Sequence, residues 1–135
     1  ARLQDDNPLL LYNIGLAEVR LGQHREAIAA FTRGLDLAPD DHRLTAALAR
    51  ELVVVPDPAL RDPQRALVIA KRLVAVLPQD REALELMAAI LVQNDRLDDA
   101  ISYLERLHAL AGGDAVRQRD IERRLDQVRR RQSDR

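Results

Sequence analysis

The chain has 135 residues, 47% of them apolar, with a formal net charge of −1. That is enough apolar material for a packed core, and too even a charge balance to point to nucleic acid or an anionic membrane. Without cysteine it can form neither disulfides nor thiolate metal sites, and none of its apolar runs approaches the ~20 residues that span a bilayer.

Alanine, leucine and arginine dominate, a composition that favours helices. Lys71 is the only lysine, a bias associated with GC-rich bacteria. The first residue is not Met, so a piece of a longer or processed protein is expected. A soluble protein of the bacterial cytoplasm or periplasm is the expected setting.

Residues 1–7 read as a polar N-terminal extension. Asn7 is a good N-cap, and the fixed φ of Pro8 suits the first helical position. Leu11, Ile14, Ala17 and Leu21 recur at three- and four-residue steps and predict one apolar helix face. Gly22 ends that helix. Ala27, Ile28, Phe31, Leu35 and Ala38 predict a second helix, stopped by Pro39. Gly15, Ala17, Ala27 and Gly34 are small enough to let the two helices approach closely.

A second unit starts at His42. Leu44, Ala47, Leu48, Glu51 and Leu52 carry a helix to about Val54. Three prolines interrupt the stretch from Val55 to Pro63, which is therefore a loop, and Asp62-Pro63 starts the next helix. Its stripe is Ala66, Leu67, Ile69, Ala70, Leu73, Val74 and Leu77, stopped at Pro78. A third unit opens after Asp80, with Leu84, Met87, Ala88 and Leu91 on one face and a turn at Gln93-Asn94-Asp95. Leu97, Ala100, Ile101, Leu104, Leu107 and Leu110 form its second helix, ended by Gly112-Gly113. A last helix from Asp114 to Arg131 has a thin stripe of Ile121, Leu125 and Val128. From Asp114 onward, eight arginines face five acidic residues, in the alternating pattern of a solvated helix face.

The units repeat. Pro8 to Asp41 and Arg81 to Asp114 each span 34 residues, while His42 to Asp80 spans 39, the excess falling in the proline-rich loop. Helix-turn-helix self-similarity at this period marks a helical solenoid. Leu11, Ile14-Gly15, Ala27, Phe31, Gly34 and Pro39 resemble the tetratricopeptide repeat (TPR). Leu84, Met87-Ala88, Ala100 and Leu107 match it in the third unit, and Ala66, Ala70 and Pro78 in the second. The resemblance implies an all-α, right-handed solenoid of antiparallel helix pairs. Its expected organisation is repeats at 8–41, 42–80 with an insertion near 55–62, and 81–113, then a capping helix and tail at 114–135.

The resemblance also implies a concave face lined by the first helix of each repeat, where peptides bind. Its candidates are Leu9, Tyr12, Leu16 and Val19, then Arg43, Ala46, Arg50 and Val53, then Glu82, Glu85, Ala89 and Val92. Tyr12 is the aromatic anchor candidate, and Arg43 and Arg50 could hold a peptide carboxylate. The competing reading is that each is an ordinary solvated position. Family members that grip the C-terminal carboxylate of heat-shock chaperones use a Lys and an Asn where this chain has Tyr12 and Leu16, which argues against that partner. The 55–62 loop reads as a contact or hinge, or simply as a tolerated insertion.

His24, His42 and His108 lack metal-ligand spacing, and Ser102 and Ser133 have no adjacent base. No cofactor, metal, catalysis, nucleic acid or membrane insertion is expected. The expected function is a protein-protein interaction scaffold. Two alternatives are a regulatory or targeting domain of a larger bacterial enzyme, and a module that assembles with copies of itself.

Overall fold

Side-chain caps define where the helices begin. In the computed structural model, which describes residues 7–135, the Asn7 side chain accepts hydrogen bonds from the Leu9 and Leu10 amides at 2.9 and 3.3 Å. Helix α1, Pro8–Arg20, starts there. Of the expected N-terminal extension, residues 1–6 lie outside the described residues. The Asp41 carboxylate caps α3, His42–Val54, through the Arg43 amide at 2.9 Å. Asp62 caps α4, Pro63–Val76, through Arg65. Asp80 caps α5, Arg81–Gln93, through Ala83. Asp114 caps α7, Ala115–Ser133, through Arg117. The second helices α2, His24–Leu37, and α6, Leu97–Ala111, start without a side-chain cap. Tight turns precede them, where Gly22 (φ 76°) and Asp95 (φ 59°) take the left-handed conformation.

Among the described residues every regular element is helical, and the fold is all-α. The chain divides into two compact units, the division falling within α4 between Ile69 and Ala70. In the first, α1 packs on α2 and α2 on α3. Phe31, Leu44, Leu48 and Leu52 are among its largest buried side chains. Close approach depends on two glycines. A Cβ on Gly15 would lie 2.7 Å from Phe31 Cδ1, and one on Gly34 2.8 Å from Leu44 Cδ2.

One sequence expectation is overturned in this unit. Of the apolar series on α1 only Leu11 is buried; Ile14, Ala17 and Leu21 are exposed. Ala17 is therefore not a close-approach residue.

The loop between α3 and α4 is ordered by its own contacts. It contains one turn of 3-10 helix, Pro58–Leu60, capped by Asp57. Val55 is fully buried. Arg61 Nε donates to the Val55 carbonyl at 2.7 Å, and Arg61 Nη2 to the Pro56 carbonyl at 3.3 Å.

In the second unit α5 packs on α6 and α6 on α7. Leu84, Met87 and Ile90 of α5 and Leu97, Leu104 and Leu107 of α6 form the core. The thin stripe of α7, Ile121, Leu125 and Val128, is buried. The C-terminal end of α7 is held over the α5–α6 turn. Arg131 and Arg135 both reach the Asp95 carboxylate, and the Gln132 amide donates to Asp98.

Candidate functional site

The expected concave-face residues divide between the two units. In the first, α1 exposes Leu9, while Tyr12, Leu16 and Val19 are half-buried. Arg43 and Arg50 of α3 are exposed and Ala46 is half-buried. Val53 is only 2% exposed, so it is a core residue and no contact point. The 34-residue equivalence misplaced it because α3 is buried on more than one face, with Thr45, Ala49 and Glu51 also inside.

Tyr12 and Arg43 come together. The Arg43 guanidinium lies 5.4 Å from the Tyr12 ring centroid, and the same ring sits 6.4 Å from Phe31 in a tilted pair. Tyr12 is thus a rigid aromatic, set between the core ring and a cation. Its partly exposed face and Arg43 offer one apolar and one cationic contact side by side.

In the second unit Glu82 and Ala89 are exposed and Glu85 and Val92 half-buried. The Val92 carbonyl accepts a hydrogen bond from Arg131 Nη1 at 3.4 Å. Glu85 lines a cleft of about 210 Å³. Leu107, Leu110 and Ile121 supply its apolar part, and Arg81, Arg117 and Asp120 join Glu85 as charged lining. A cleft with an apolar floor and both signs of charge suits a peptide side chain flanked by polar backbone. The α7 residues were missed from sequence, where that helix reads as a charged, solvated cap. The nearest signal was Ile121, the first residue of its apolar stripe.

The first unit holds two further polar features. His24 Nδ1 meets Glu51 Oε1 at 2.5 Å, with the Glu51 side chain 5% exposed. Glu18 Oε1 is buried and has no hydrogen-bond partner. Desolvation, and secondarily the Glu26 carboxylate, pushes the Glu18 carboxyl above its ordinary range. The Ser102 and Ser133 hydroxyls bond to the carbonyls of Asp98 and Arg129, four residues back on their own helices.

No curated protein matches the chain. The family model described as tetratricopeptide repeat matches residues 8–41. Among solved structures, the first TPR of Spaghetti (RPAP3), bound to the HSP90 peptide SRMEEVD, is 20% identical with a TM-score of 0.77, over 94% of this chain and 94% of that one. The first TPR domain of human RPAP3 is also 20% identical, with a TM-score of 0.76 over 96% and 98%. MamA from Desulfovibrio magneticus RS-1 is 18% identical, with a TM-score of 0.67 over 93% and 75%. Residues 8–41 are a tetratricopeptide repeat, and the chain has the fold of that repeat family.

Proposed function

We propose that the chain is a non-catalytic interaction module that binds an extended peptide segment of a partner protein. The repeats are taken as 8–41, 42–80 and 81–113, with 114–135 as cap. In the first unit the peptide contacts are Leu9, Tyr12, Leu16 and Val19 of α1 with Arg43, Ala46 and Arg50 of α3; in the second they are Glu82, Glu85 and Ala89 of α5. The observation that carries this reading is the cleft at Glu85, which combines Leu107, Leu110 and Ile121 with Arg81, Arg117 and Asp120. The RPAP3 repeat domain of like fold, solved with a bound peptide, supports it. Lys71 as the only lysine supports a bacterial source.

The charges along these surfaces favour a peptide of mixed character. Arg43 and Arg50 suit an acidic residue, Glu82 and Glu85 a basic one, and Tyr12 or the cleft an apolar side chain. Panning a random peptide display library against the chain tests this. Recovered peptides are expected to lose binding to Glu85→Lys or Tyr12→Ala and to show salt-dependent affinity. Equal binding to both variants and to the unaltered chain would sink the assignment.

A further inference from the structure

The exposed edge of α1 is built like a face that receives another helix. Half-buried Leu10 and exposed Ile14, Ala17 and Leu21 lie along it at steps of four, three and four residues. Ile14 is 37% exposed and Leu21 73%. Thirty-four residues on, the equivalent positions are Leu44, Leu48 and Glu51 of α3 and Val55 just after it. All four are buried, and Leu44 packs against Gly34 of α2. The register that seats α3 on α2 is therefore repeated on α1 with nothing over it among the described residues.

A second likeness identifies what would fit. Leu10, Ile14 and Ala17 have the four-then-three spacing of Ile121, Leu125 and Val128, the residues α7 buries. Arg20 follows Ala17 by three residues, as Arg131 follows Val128. Arg131 bonds to the Asp95 carboxylate and the Val92 carbonyl at the α5–α6 turn. That turn and the start of α6 carry Asp95, Asp98 and Asp99, the last paired with Arg96. The end of α1 and the start of α2 expose Arg20 and Arg25, with Glu26 beside them. Arg20 stands in the apolar register where Arg131 stands in α7, so it can meet Asp95 in the same way. The outward face of α7 is no substitute, because Arg119, Glu122, Arg123, Asp126, Arg129 and Arg130 cover it with charge.

We propose that the α1 edge docks onto a second copy of this chain, at the α6 face that α7 otherwise covers. Helix α1 of one copy and α7 of the other compete for one seat, so α7 is the element that limits assembly. The contact is head-to-tail, so it can propagate from copy to copy.

Sedimentation of the full chain tests this. Leu125→Asp weakens the hold of α7 and is expected to tighten self-association by about tenfold or more, in line with the loss of one buried leucine. Adding Ile14→Asp returns the chain to the monomer. Association that survives Ile14→Asp, or a Leu125→Asp chain that folds and stays monomeric, overturns the proposal. Should Leu125→Asp not fold, cysteine pairing answers the same question in a chain that has no cysteine of its own. Full-length Arg20→Cys and Asp98→Cys chains are mixed under mild oxidation. A mixed disulfide exceeding either self-paired product is expected. Predominant Arg20→Cys pairs, or no cross-link, overturn it.

Discussion

Phe31 occupies the space that a side chain on Gly15 would need. A Cβ there would fall 2.7 Å from Phe31 Cδ1 and 2.8 Å from Cζ. Helix propensity alone favours Gly15→Ala by about 1 kcal/mol. The clash is with a fully buried ring, and overpacking of that kind costs about 1–3 kcal/mol. The clash wins, so Gly15→Ala is expected to lower the melting temperature. Gly34→Ala is the control. Its obstacle is the end of the Leu44 side chain, which can rotate away more easily than a ring. Its loss is expected to be clearly smaller, and an equal loss would mean that ring rigidity is not what makes Gly15 necessary.

His24 and Glu51 are the second pair to test. The Glu51 carboxylate lies on the buried side of α3, and His24 Nδ1 meets it at 2.5 Å. His24→Ala strips that partner from a desolvated group, at a cost of about 1–3 kcal/mol. Replacing the acid too, as His24→Ala with Glu51→Leu, removes the group that needed satisfying and recovers part of the loss. Urea denaturation of the two single variants and the double variant measures the coupling. Additive losses would show that the two side chains do not act as a pair.

Such a pair is not legible in a sequence, because 27 residues separate its members. Caps are legible, because Asn7, Asp62 and Asp80 act on amides two or three residues away. So is the apolar register that buries Phe31, Leu44 and Leu104. Periodicity cannot say whether a face is covered, which is why Ile14, Ala17 and Leu21 read as core and lie exposed. Exact repetition also fails where burial differs between copies, as at Val53. Glu85, which lines the cleft, falls in the repeat register and could be named from it. Arg117 and Asp120, which line the same cleft, lie outside the three repeats read from the sequence.

Glu18 makes stability depend on pH. Desolvation, with the Glu26 carboxylate as the smaller cause, raises its folded pKa above the ordinary 4.5. The folded state therefore holds this proton more tightly than the unfolded chain does. The associated stability is full below about pH 4.5 and is lost as pH rises through the folded value. Glu18→Gln keeps the shape and removes the charge. It is expected to melt above the unaltered chain at pH 7, with the gap narrowing toward pH 4. A gap that is constant across this range would mean that titration of Glu18 does not contribute.

The insertion between α3 and α4 gives the last prediction. Loop-closure entropy alone makes extra residues cheap, and would leave this segment loose. Arg61 opposes that by joining its guanidinium to the Val55 and Pro56 carbonyls, while the Asp62 amide donates to the Leu52 carbonyl at 2.9 Å. The loop is thereby tied to the end of α3, with Val55 buried beneath it. Arg61→Ala removes two charge-assisted bonds and is expected to cost about 1–3 kcal/mol. Arg61→Lys cannot reproduce the two-pronged contact and should recover only part of it. Hydrogen exchange locates the effect: amides from Asp57 to Asp62 should exchange faster in Arg61→Ala, and those of α6 at the unaltered rate. Unchanged exchange in the loop would show that the buried Val55, and not the arginine, holds this segment in place.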